Sequence, residues 1–125
     1  MKVLADTHSL VWALSDPDAL STEARKILAE SEVTVSVASL WELILKRGKK
    51  DALLADPIPW WEKYVIGTGI PTLAIRVGHV IALGRLPELH RDPFDRILVA
   101  QALMERMTLV SKDSQLGSYG IRVIW

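Results

Sequence analysis

Apolar positions along the chain fall into short runs that alternate between two spacings. Lys2-Val3-Leu4-Ala5 and Val33-Thr34-Val35-Ser36-Val37 are apolar or β-branched stretches of strand length. Thr108-Leu109-Val110-Ser111 and residues 121–125 read the same way. Residues 70–74 predict an edge strand, because Pro71 cannot donate to a central ladder. Between these runs the apolar spacing is helical. Residues 10–14 make a short helix broken by Asp16-Pro17-Asp18, and Ser21 caps a second that reaches Glu30 with Ala24, Ile27 and Leu28 inward. A third runs from about Ala38 to Lys46 and stops at Gly48; Leu40, Trp41, Leu43, Ile44 and Leu45 predict that it is mostly buried, with Glu42 in its middle. Asp56-Pro57 opens a helix carrying Trp60, Trp61, Tyr64 and Val65 that Gly67 and Gly69 end, and residues 79–83 form a weak short helix closed by Gly84.

The clearest helix start is Arg91-Asp92-Pro93-Phe94-Asp95-Arg96. Asp92 is a good N-cap, and Pro93 stands at the first helical position, where its missing N–H costs nothing. Asp95 falls in the first turn, near the free N–H groups and the positive end of the helix dipole. Phe94, Ile97, Leu98, Ala100, Ala102 and Leu103 cover more than one face up to about Arg106, so this helix is buried and carries Asp95 into the domain. Strands alternating with helices predict an α/β fold: three α/β/α layers, Rossmann-like, with a mainly parallel sheet of about five strands.

Ligands of such sheets bind beyond the carboxyl ends of the strands, where the strand order reverses. Asp6 immediately follows the first strand and Asp113 follows the fourth, before a short turn at residues 114–117. If those strands are neighbours, both carboxylates share one crevice. Glu42 can join from the helix after the second strand, and Asp95 joins if its helix dips over that end.

Four acids in one cleft, with no lysine inserted among them, repel one another. Either some hold protons or a divalent cation neutralises them. Oxygen-only ligation favours Mg²⁺ or Mn²⁺ over zinc, and such ions keep sites open for a phosphate and a water. Hydrolysis of a phosphodiester fits this hardware, with a phosphomonoesterase as the runner-up.

Composition changes this picture little. The chain has 125 residues, half of them hydrophobic, which suits a single domain over 1–125. There is no cysteine, which excludes disulfides and thiolate metal sites and points to a reducing, cytoplasmic setting. No signal peptide is expected at the N-terminus and no membrane span anywhere. Fifteen basic and fifteen acidic residues balance, so any polyanion must be held by local basic clusters and cations.

Asp6-Thr7-His8 after a strand, Ser39-Leu40-Trp41-Glu42-Leu43, Asp92-Pro93-Phe94-Asp95-Arg96-Ile97-Leu98-Val99-Ala100-Gln101-Ala102 and Val110-Ser111-Lys112-Asp113 together resemble the PIN-domain endoribonucleases. More closely, they resemble the toxin half of bacterial VapBC-type toxin–antitoxin pairs, over nearly the whole chain. The resemblance implies a Mg²⁺- or Mn²⁺-dependent ribonuclease, usually dimeric, inhibited by a small antitoxin through which alone it meets DNA. By position it implies Asp6, Glu42, Asp95 and Asp113 as the catalytic acids, with Asp6, Asp95 and Asp113 on the metal. Thr7 supports the site through its hydroxyl and Asp92 acts as a cap. No appended RNA-binding segment is expected after Trp125.

Plainer roles compete at each position. Asp6 can be a turn residue, Glu42 an exposed helix residue, and Asp113 a cap for the turn at Ser114. Arg96 is spaced for a surface pair with Asp92, worth roughly a few tenths of a kcal/mol. Lys46, Arg47, Lys49 and Lys50 are a solvated loop or an RNA-phosphate contact. His8, His79 and His90 read as structural or exposed rather than as ligands, and Trp12, Trp41, Trp60 and Trp61 as core or interface aromatics. The alternative to an enzyme is a non-catalytic metal-binding or protein-interaction module. A receiver-like domain would want adjacent acids after its first strand, where this chain has Ala5-Asp6.

Overall fold

β1 (Lys2–Ala5) is the strand on which the molecule is assembled: Val3, Leu4 and Ala5 are buried, and it pairs on both sides. In the computed structural model, which describes residues 1–125, it lies between β2 (Glu32–Ser36) and β4 (Thr108–Val110). β3 (Thr72–Leu73) and β5 (Val123–Ile124) complete a sheet of order β3-β2-β1-β4-β5 in which every pairing is parallel. The predicted α/β architecture is therefore the one observed, and β3 is an edge strand as its proline requires. Strand order reverses between β1 and β4, where their carboxyl ends, Ala5 and Val110, are register partners.

Helices cover both faces. They are α1 (Thr7–Ser15), α2 (Thr22–Glu30), α3 (Val37–Lys46), α4 (Pro57–Trp61), α5 (Val77–Arg85) and α6 (Pro93–Glu105). A π-helical turn, Glu62–Ile66, continues α4, and 3-10 turns occupy Pro17–Ala19 and Ser114–Tyr119. Side-chain alternation along the strands divides the core. Leu4 and Leu109 pack with Ile97, Leu98, Val99, Ala100 and Ala102 of α6. Ala5 and Val35 pack with Leu10, Val11, Leu43, Trp61 and Val65, and Val3 and Val110 pack with Leu20 and Ala24. No helix is long and apolar enough to cross a membrane.

Several expectations are corrected. α1 begins at Thr7, because Asp6 caps it directly. β2 ends at Ser36, whose hydroxyl accepts from Ala38 N–H and starts α3 one residue earlier than its apolar pattern indicated. Gly84 does not close α5, which runs to Arg85. The turn after Asp113 extends to Tyr119 and ends at Gly120, whose φ of 87° is the left-handed conformation that glycine adopts without strain. β5 is shorter than its apolar run, since β4 supports it only opposite Val123 and Ile124. α3 has one buried face, formed by Ala38, Ser39, Glu42 and Leu43; Trp41 and Leu45 stand outside it, with Trp41 edge-on to Phe94 at 5.1 Å.

Arg96 is the largest departure from local rules. Asp92 Oδ1 is already engaged by Phe94 N–H at 2.8 Å and Asp95 N–H at 3.2 Å, which end the role expected of it in a surface pair. Arg96 turns away and donates to the carbonyls of Pro87 at 3.0 Å and Leu83 at 3.4 Å and to Tyr119 Oη at 3.3 Å. The guanidinium thus ties α6 to the end of α5 and to the turn after β4. Replacing it removes all three charge-assisted bonds, although the Leu83 and Pro87 carbonyls keep the N–H groups of Leu86 and Leu89. Arg96→Ala is expected to cost about 1–3 kcal/mol in urea unfolding, well beyond the few tenths a surface pair contributes; a smaller loss means the clamp is idle.

Candidate metal centre

Acidic side chains converge because four chain segments end at one edge of the sheet. Asp6 leaves the end of β1, and its N–H donates to Val110 O at 3.0 Å, pinning it beside β4. Its Oδ1 accepts from Ser9 N–H at 2.9 Å, the N-cap bond of α1. Ser111 and Asp113 leave the end of β4; Asp113 N–H donates to Ser111 Oγ, and Asp113 Oδ1 accepts from Gln115 N–H at 3.0 Å. α6 starts over the same edge with Asp92 as its cap, and so delivers Asp95. α3 presents Glu42 from its buried face.

The result is a crevice of about 350 Å³ lined by Asp6, Thr7, Glu42, Asp92, Asp95, Ser111 and Asp113, with His8, Trp12, Lys46 and Lys112 at its walls. All four acids read from the sequence are brought together there, as are Thr7 and Asp92. Thr7 Oγ1 donates to Glu42 Oε1 at 2.6 Å and shares a hydrogen bond with Ser39 Oγ at 3.0 Å. Of the basic loop, only Lys46 reaches the crevice; Arg47, Lys49 and Lys50 are exposed beyond it.

One expectation fails here. A lysine does stand among the acids: Lys46 Nζ is 2.7 Å from Glu42 Oε2 and 3.7 Å from Asp51. Burial works against its charge, but the Glu42 hydrogen bond and charge, with Asp92 and Asp51, outweigh that and raise its pKa. Helical i,i+4 spacing from Glu42 is the signal that could have found it. His90, read as structural or exposed rather than as a ligand, stands against two of the acids. Its Nε2 is 2.8 Å from Asp113 Oδ2 and 3.8 Å from Asp95 Oδ2, and one ligand atom from each of these three residues lies within 4.8 Å of the others. His79, by contrast, is buried in a helix-capping role, its Nδ1 accepting from Arg76 N–H.

Charge is concentrated where water is scarce. Asp6 is only 7% exposed. Its pKa is raised chiefly by burial, against which the hydrogen bonds of Ser111 and Ser9 act. Burial first, then the charges of Asp92, Asp6 and Glu42, push Asp95 up to about 7. Glu42 is matched by Lys46; Asp6, Asp95 and Asp113 have no such fixed cation and offer hard oxygen donors. That donor set fits a divalent ion of the Mg²⁺ or Mn²⁺ kind.

A parallel α/β/α sheet with carboxylates gathered at its switch point defines a class: a Rossmann-like domain built around an acidic crevice. The chain belongs to the PIN domain family, whose sequence profile matches residues 3–121. It is 29% identical over 119 residues to Ribonuclease VapC22 of Mycobacterium tuberculosis, covering 94% of this chain and 91% of that protein. Its fold is similar to that in DNA-bound VapBC from Salmonella typhimurium, with a TM-score of 0.73 at 18% identity, covering 99% of this chain and 97% of the other. VapBC2 from Rickettsia felis, bound to a fragment of its promoter DNA, gives a TM-score of 0.70 at 15% identity over 99% and 98% of the two chains.

The raised acids make the metal-free protein sensitive to pH. An unfolded aspartate titrates near 3.9, so with Asp95 at about 7 the folded chain keeps a proton that the unfolded chain releases. Stability of the metal-free protein is therefore expected to fall as pH rises from about 4 through about 7, and Asp6 shifts in the same direction. Asp95→Asn is expected to flatten that fall and to raise Tm at neutral pH, measured by thermal melts in EDTA. A fall as steep as in the parent protein would acquit Asp95.

Proposed function

We propose that the protein is a Mg²⁺- or Mn²⁺-dependent endoribonuclease and the toxin of a VapBC-type toxin–antitoxin pair. The observation that carries the enzymatic reading is the crevice in which Asp6, Asp95 and Asp113 gather without a fixed cation, and where burial first, then the charges of Asp92, Asp6 and Glu42, push Asp95 up to about 7. Kinship to a protein named as a ribonuclease supplies the substrate class. The solved complexes similar in fold supply the partner: a small antitoxin, through which alone the pair meets DNA. A homodimer in the cytoplasm completes the reading.

Asp6, Asp95 and Asp113 would hold the ion. When bound, it supplies an acidified water and charge stabilisation at the scissile phosphate. Glu42, held by Thr7 and Lys46, lines the crevice and would serve as the acceptor for a proton from water. Ser9 and Gln115 fix the carboxylates of Asp6 and Asp113 through their backbone N–H groups, so the ligands need little rearrangement on binding. Lys112 at the crevice wall and Arg47, Lys49 and Lys50 on the loop beyond α3 attract the phosphate backbone, while Lys46 is spent largely on Glu42.

The test is a cleavage assay on structured RNA with purified, antitoxin-free protein. Cleavage is expected with Mg²⁺ or Mn²⁺ and not with EDTA. Asp6→Asn and Asp95→Asn are each expected to lose on the order of 10²-fold in rate or more while melting no lower than the parent. Undiminished cleavage by these variants rejects the site. Calorimetric metal binding without any cleavage would favour a non-catalytic module instead.

A further inference from the structure

His90 lies outside the acidic quartet, yet it stands between two of its members. Taken with Asp95 and Asp113, it has the spacing of a ligand set. The far side of the ring decides otherwise. His90 Nδ1 accepts the backbone N–H of Asp92 at 3.1 Å, so that nitrogen carries no proton and the ring's proton sits on Nε2. Nε2–H is aimed at Asp113 Oδ2, 2.8 Å away. A protonated ring nitrogen has no lone pair for a metal. Moving the proton to Nδ1 would set two N–H donors against each other at the first turn of α6.

We propose that His90 is the positioning residue of the Asp95–Asp113 half of the site, a hydrogen-bond donor to Asp113 and not a metal ligand. This inference rests on the metal reading proposed above. With Gln115 N–H on Oδ1 and His90 Nε2–H on Oδ2, both oxygens of Asp113 are held, and each keeps a lone pair for the crevice. The same ring is anchored on the peptide that begins α6, three residues before Asp95. It therefore sets the distance between an acid carried by the β4 loop and an acid carried by α6. Donors behind ligating carboxylates act in this way in metal sites, by aiming the ligand.

The measurement is Mn²⁺ binding to the purified protein, read from the free-ion signal in electron paramagnetic resonance. His90→Ala is expected to weaken binding by about ten- to a hundredfold. His90→Gln, whose amide can both donate to Asp113 and accept from Asp92 N–H, is expected to restore most of it. Pulsed resonance of the parent protein with Mn²⁺ is expected to show no directly coordinated nitrogen. Parent-like affinity in His90→Ala, even with a lower Tm, overturns the proposal in favour of mere support for α6. A bound-nitrogen coupling, or a Gln variant as weak as the Ala variant, overturns it too. A parent protein that binds no Mn²⁺ overturns the metal reading itself, and this inference with it.

Discussion

Burying negative charge is unfavourable unless something compensates it, and this fold is arranged around that constraint. Compensation begins with the backbone. Asp6, Asp92 and Asp113 each cap the helix or turn that follows, with one carboxylate oxygen accepting N–H groups at its start. The N-terminal ends of α1 and α6 bring their positive dipole ends to the same crevice. The carboxylates are thereby fixed in place, but backbone donors alone do not hold them all at ordinary acidity, as the rise of Asp6 and Asp95 records. What is left over is a deficit of positive charge in a defined position, which is what a cation site requires.

Capping and ligation are usually weighed against each other for an acid at a helix start. Here they coincide. Asp113 is a cap through Oδ1 and faces Asp95 and His90 through Oδ2. The economy lies in the two ends of a carboxylate: one satisfies the backbone and locks the rotamer, the other stays available. Glu42 reaches the crevice by a different route. It lies mid-helix, fully inside α3's buried face, and is held by Thr7 and Lys46 instead of by a helix end.

Much of this was legible in the chain because it is written in local patterns. The strand at Val3-Leu4-Ala5, the Asp92-Pro93 start and the serine cap at Ser21 follow from chemistry within a few residues. The candidate acids were legible as acids following strands or opening helices. His90 was not, because its role depends on a peptide two residues ahead and a carboxylate 23 residues away. Arg96 misled for a related reason: its helical neighbour Asp92 is nearer in sequence, but Pro87, Leu83 and Tyr119 are the acceptors that packing presents.

The chain by itself determined the alternation of strands and helices, the helix starts and the identity of the acids, since propensity, capping and hydrophobic period act over one or two turns. Only the tertiary structure decided that β1 and β4 are neighbours, which side of α3 is buried, and which partner each charged group keeps. Those outcomes depend on packing between segments far apart in the chain, where burial and competition for a finite set of hydrogen-bond partners settle what local spacing leaves open.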